Sequence, residues 1–116
     1  MFCRRYAELD LTVGLVLGEH SALIIDTRGD HVQGAELARA VRSRTSLPRH
    51  VVLTHGHFDH CFGTGPLQPV AVWAQERCSA FLRATAQQQR TEWIEHYRTR
   101  DPEIADALAT TELLLP

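Results

Sequence analysis

Four residues of metal-binding type fall within six positions: His55, His57, Asp59 and His60, in the run Thr54-His55-Gly56-His57-Phe58-Asp59-His60. A hydrolytic zinc site needs donors that bind as neutral imidazole or carboxylate, with a coordination position left open for water. His55 and His57 are separated by one residue, so in an extended segment their side chains point the same way and reach one metal. Gly56 between them gives the backbone unusual freedom. Asp59 and His60 follow on the turn that leaves the strand, where they are placed to serve a second metal. Bound zinc lowers the pKa of its water to about 7, and the resulting hydroxide attacks a carbonyl or phosphoryl centre. A second ion would steady the developing oxyanion. The bland alternative is a polar loop enriched in histidine by chance. Its weakness is that these donor types coincide with a preceding short strand.

The elements that must hold this run can be read from periodicity. Residues 9–17 are rich in Leu and Val and read as a strand. Gly18-Glu19-His20-Ser21 is a turn, and residues 22–26 form a second strand, giving a β-hairpin. The stretch Ala22-Leu23-Ile24-Ile25 is apolar throughout, which predicts burial on both faces. Thr27-Arg28-Gly29-Asp30 breaks the pattern. Residues 32–43 carry Ala35, Leu37, Ala38 and Val41 at helical spacing, an amphipathic helix. Residues 50–53 are a short strand with two β-branched residues. Residues 61–66 read as loop or a broken helical turn, and residues 70–73 as a further strand. Three helical pieces follow, at residues 75–88, 91–98 and 101–109. The last opens on Asp101-Pro102, with Asp as cap and Pro in the first turn. The apolar run Leu113-Leu114-Leu115 reads as the start of another element.

The motif resembles the HxHxDH signature of the metallo-β-lactamase superfamily, and its surroundings agree. A hairpin ending in an aspartate, Ile24-Ile25-Asp26-Thr27, precedes it, a helix lies between hairpin and motif, and Gly63 matches a glycine that commonly follows. The resemblance implies a mixed α/β (α+β) fold, the N-terminal half of the αβ/βα sandwich: β-hairpin, helix, strand, metal loop, strand and C-terminal helices. It implies that His55 and His57 bind a first zinc and Asp59 and His60 a second, with iron or manganese as alternative metals. Asp59 would also help to orient the attacking water, which makes it the catalytic candidate. Asp26 would support the site without ligating; read on its own it is equally a strand-end turn former. Family members draw further ligands from a second half, and only His96 follows the motif here. The expectation is therefore a single partial domain over residues 1–116. It is either a zinc-dependent hydrolase of esters, thioesters, lactones or related bonds in a small-molecule substrate, or a non-catalytic remnant that binds metal weakly or pairs with another chain. As a partner, that chain would be a second copy or a missing C-terminal half.

Composition narrows the rest. With 116 residues, 44% of them hydrophobic, the chain is long enough for one core. All 12 basic residues are arginine and they are scattered, against a net charge of −2. Arg39, Arg42, Arg44 and Arg49 read as a solvated helix face, so no nucleic-acid partner is expected. No apolar run is long enough to span a bilayer, and Glu8 and Asp10 interrupt any signal-peptide core, which predicts a cytoplasmic protein without a membrane partner. Cys3, Cys61 and Cys78 are odd in number and lack CxxC spacing, so no disulfide framework is expected. Cys61 reads as a buried small hydrophobe in preference to a ligand, Cys78 as core, and Cys3 as part of a mobile terminus. A structural zinc module of His55, His57, His60 and Cys61 is the third and weakest reading, because such modules pair ligands from two separated segments. His20 and His31 read as solvent-facing, and His96 as part of an amphipathic helix. Trp93, Ile94 and Tyr97 form a packing stripe that, by the resemblance, would also line a substrate entrance. Arg28 and Arg90 carry no readable role.

Overall fold

A computed structural model describes residues 1–7 and 10–116. Among these residues five strands form one mixed sheet in the order β1-β2-β3-β4-β5. The strands are β1 (Phe2–Tyr6), β2 (Leu11–Leu17), β3 (Ala22–Ile25), β4 (Arg49–Val52) and β5 (Ala71–Trp73). The helices are α1 (His31–Arg42), α2 (Phe58–Cys61), α3 (Glu76–Tyr97) and α4 (Pro102–Thr110). β1, β2 and β3 pair antiparallel, and β3–β4 and β4–β5 pair parallel. The hairpin, helix, strand, metal loop, strand and C-terminal helices thus occur in the expected order. Leu9, which the sequence places at the start of β2, lies outside the described residues.

Alternation sets the sheet's inner face. Leu11, Val13 and Leu15 of β2, Ala22 and Ile24 of β3 and Val51 of β4 are buried, and they pack with Leu37, Ala38 and Val41 of α1 in one core. The expectation that β3 is covered on both sides holds for one side only. Ala22 and Ile24 are 1% and 0% exposed, whereas Leu23 and Ile25 on the opposite face are intermediate. Register puts Val16, Val52 and Trp73 on that same outer face. Val16 and Trp73 are exposed there.

α1 begins as its sequence dictates. Buried Asp30 caps it, its carboxylate accepting the Gln33 N–H at 2.8 Å. Gly34 brings this helix against the segment after α2. A Cβ at Gly34 would overlap the Gly63 carbonyl, and one at Gly63 would overlap the Thr27 carbonyl. Gly63→Ala is therefore expected to cost about 3 kcal/mol, the upper range for overpacking a filled core. Gly65→Ala, with no neighbour closer than the Glu112 carbonyl at 3.9 Å, should stay within about 0.5 kcal/mol. Urea unfolding of both variants measures the difference, and equal midpoints would contradict the close approach.

Two expectations change. Cys3 does not belong to a loose end: it lies in β1, opposite Gly14 of β2. The strand escaped periodicity because Arg4 and Arg5 interrupt it, and its anchors are remote. Tyr6 donates from its hydroxyl to Glu36 at 2.9 Å, and Arg4 pairs with the same carboxylate at 2.6 Å. The two helical pieces expected after β5 are a single 22-residue helix, α3. Gln87 to Arg90 contain no glycine or proline, and glutamine and arginine are good helix formers, so nothing stops propagation. α4 starts at Asp101-Pro102 as read, the Asp101 side chain accepting the Ile104 N–H. No helix among the described residues is long and apolar enough to cross a membrane.

Candidate metal centre

Parallel pairing of β3 and β4 brings their carboxyl ends side by side, and the motif leaves from that edge. Asp26 follows β3, Thr54 and His55 follow β4, and Asp59 and His60 sit in α2. The Asp26 N–H is held by the Val52 carbonyl at 3.0 Å. Asp26 adopts φ 65°, a left-handed conformation that aspartate tolerates better than most residues. The next residue ties the turn to α2: Thr27 donates its N–H to the His60 carbonyl at 2.8 Å. Its hydroxyl meets that of buried Thr64 at 2.9 Å.

The side chains converge. One ligand atom from each of Asp26, His55 and His60 lies within 4.8 Å of the others. The His55 ring centroid is 4.2 Å from that of His60 and 4.7 Å from that of His57. Asp59 Oδ2 is 3.7 Å from His60 Nε2. His57 is exposed, while Asp59 and His60 side chains keep 18% of their surface. Asp26, His55 and His60 form the close donor group, Asp26 included although the sequence gives it only a supporting place; Asp59 approaches through His60 and His57 through His55, and neither joins that group.

Asp26 organises this group. Its Oδ1 accepts the Thr54 N–H at 2.8 Å, and its Oδ2 accepts the Thr54 hydroxyl at 2.7 Å. His60 Nδ1 lies 2.7 Å from the same Oδ2. His55 Nδ1 lies 2.8 Å from the Thr54 hydroxyl oxygen. A hydroxyl has one proton, and Thr54 spends it on Asp26, so it accepts from His55 Nδ1. With Nδ1 of both rings turned to these acceptors, Nε2 is the nitrogen left to ligate a metal. Burial, then the neighbouring His60 and His57, hold the His55 pKa below the usual imidazole range, with Asp26 and Asp59 opposing. That direction favours the neutral form of His55, the form that donates to a metal.

Cys61 is buried and gives its thiol hydrogen to the His55 carbonyl at 3.1 Å. Burial raises its pKa far above the ordinary thiol value, so it stays a thiol and supports the loop from beneath. Cys78 is half-buried against the core. His20 is exposed as expected, but His31 is not simply solvent-facing: its Nδ1 lies 3.2 Å from the Ala107 carbonyl and 3.1 Å from the Thr111 hydroxyl. His50 takes the Trp73 indole N–H at 3.2 Å. His96 is exposed on α3, its ring 4.9 Å from those of Trp93 and Tyr97, and it does not join the donor group.

Beside the donors lies a cleft of about 230 Å³ lined by His57, Phe58, Asp59, Gln89 and Trp93. Phe58 and Trp93 stack with centroids 4.6 Å apart, which gives the cleft an apolar wall. Sequence reasoning missed three participants. Thr54 had a signal, its place directly before the motif. Gln89 had none, since its partners are Gly56 and Phe58, far earlier in the chain. Arg28, without a readable role in the sequence, is buried under the Tyr6 ring at 3.6 Å and pairs with Glu36 at 3.3 Å. It thereby ties the turn after Asp26 to β1 and α1.

The family model described as metallo-beta-lactamase superfamily matches residues 9–110. No curated protein matches the chain.

Proposed function

The chain belongs to the metallo-β-lactamase superfamily, and on that footing we propose that it is a cytoplasmic zinc-dependent hydrolase acting on an ester, thioester, lactone or related bond of a small molecule. The observation that carries this reading is the hydrogen-bond chain from Asp26 through Thr54, which engages Nδ1 of both His55 and His60 and leaves their Nε2 outside it, next to the cleft walls His57 and Asp59. Neutral imidazole and carboxylate donors suit zinc, and the same nitrogen and oxygen set accommodates iron or manganese. In this reading His55 and His57 hold a first ion and Asp59 and His60 a second, with Asp26 orienting His60 directly and His55 through Thr54. Zinc, when bound, supplies Lewis acidity and an activated water. Asp59, on the cleft wall, orients that water. Phe58 and Trp93 receive the apolar part of the substrate.

Elemental mass spectrometry of the purified chain beside His57→Ala tests the assignment. Near-stoichiometric zinc or iron is expected in the parent, and a loss of about tenfold or more in the variant, since removing one of few protein donors leaves the ion short. The second reading, a non-catalytic remnant that pairs with protein, is favoured by the exposed apolar residues Val16 and Trp73 on the outer sheet face. Absence of metal from the parent would replace the hydrolase by that remnant.

A further inference from the structure

We propose that Gln89 is a positioning residue for the metal loop, a two-point clamp supplied by α3 across His57. The proposal rests on the metal-binding reading above and adds to it a residue outside the motif. Gln89 is 8% exposed, and both ends of its carboxamide are hydrogen-bonded. Oε1 accepts the Phe58 N–H at 2.9 Å, and Nε2 donates to the Gly56 carbonyl at 2.7 Å. Nε2 also reaches the Thr85 hydroxyl one turn earlier on α3, at 3.1 Å. Only this orientation of the amide pairs both loop groups, because the reversed one would set NH2 against N–H and oxygen against oxygen.

The two groups it grips flank His57. Gly56 C=O belongs to the peptide entering His57, and Phe58 N–H to the peptide leaving it, so both torsions that aim the imidazole lie between fixed points. On its far side the His57 carbonyl accepts the His60 N–H at 3.0 Å, which leaves the Gly56 carbonyl and the Phe58 N–H to Gln89. His57, at the N-terminus of α2, makes no side-chain cap, and the Phe58 N–H would otherwise be an orphan donor in a buried place. The rest of the loop is held from other sides: Thr54 by Asp26, and the His55 carbonyl by Cys61. Gln89 completes the set at the one ligand that is exposed and lacks an orienting partner of its own in the Asp26 network. It also lies on the cleft wall with His57 and Asp59, so the grip acts next to the donors.

The test uses Gln89→Met, which keeps side-chain length and removes both hydrogen bonds, with Gln88→Met as the control from the exposed side of α3. Two quantities are measured: amide hydrogen exchange in the metal-free chain, and Co(II) affinity with its visible absorption spectrum. In Gln89→Met the Phe58 amide should exchange at least about tenfold faster while β3 and β4 amides keep their protection. Co(II) should bind about 10–100-fold more weakly, the usual cost of losing a group that orients a ligand, and with an altered spectrum. Gln88→Met should match the parent in exchange, affinity and spectrum. If Gln89→Met does not fold, Gln89→Asn, which keeps the chemistry but not the reach, should show the same changes. Parent-like affinity and spectrum in the Gln89 variant overturn the clamp while leaving the proposed function intact. Weakened binding accompanied by lost β3 and β4 protection also overturns it, since general loosening would then be the cause. A parent chain that takes up no Co(II) overturns the proposed function and the positioning role together, and is told apart from the other outcomes by the parent's own titration.

Discussion

Asp26→Asn is expected to lower zinc affinity by about 100-fold with the fold intact, the upper end of the cost for an orienting group. The substitution is nearly isosteric, and asparagine accepts the left-handed φ of 65° at this position. Its carbonyl can still accept the Thr54 N–H. Its NH2, however, now faces the Thr54 hydroxyl and His60 Nδ1, where the carboxylate oxygen accepted from both. His60 Nδ1 must then accept, which moves its proton to Nε2. The Thr54 hydroxyl must accept from the amide, so its own proton turns to His55 Nδ1, and that ring changes tautomer as well. One atom exchanged at Asp26 thus blocks the ligating nitrogen of two histidines. Nitrogen NMR of the ring sites in the metal-free chain reads the tautomers directly, and a competition titration reads the affinity. Unchanged tautomers with unchanged affinity would mean that Asp26 does not govern the site.

Zinc at a hundred times its dissociation constant should raise the melting temperature by on the order of 10 °C. Binding only to the folded chain adds about 2.7 kcal/mol at that concentration, and a domain of this length unfolds with roughly 2 cal/mol/K of entropy per residue. A chelator should reverse the shift. In the double variant His55→Ala with His60→Ala it should fall below about 2 °C, because one donor of each proposed ion is then lost. A full shift that persists in the double variant would put the ion somewhere else, and the motif would lose its assignment.

Much of the framework is legible along the chain because it is local. The run rich in Leu and Val marks β2, the helical spacing of Ala35, Leu37, Ala38 and Val41 marks α1, and Asp101-Pro102 opens α4. The donor types of the motif are legible for the same reason, crowded into six positions behind a short strand. What stays hidden depends on partners that only folding supplies. β1 is a strand because β2 lies beside it and Glu36 anchors Arg4 and Tyr6. The run Gln87-Gln88-Gln89 looks featureless, yet its last residue is buried against a loop about thirty positions away. For Asp26 the turn-former and site readings describe one residue: the left-handed φ that ends β3 also aims the carboxylate at Thr54 and His60. Burial of β3 was overestimated because an apolar side chain signals hydrophobicity without saying which face of the sheet α1 covers.

The separation of Gln89 from the residues it grips has a consequence in time. Asp26, Thr54, His55 and His60 all leave the ribosome before α3 does, and synthesis runs at about 5–20 residues per second. For an interval on the order of seconds the nascent chain presents its imidazoles on a loop that is still unclasped. An ion met in that interval would be selected by supply and by the intrinsic order of metal affinities. The geometry of the finished site would then act as a retention filter, keeping or releasing an ion that arrived before it was built.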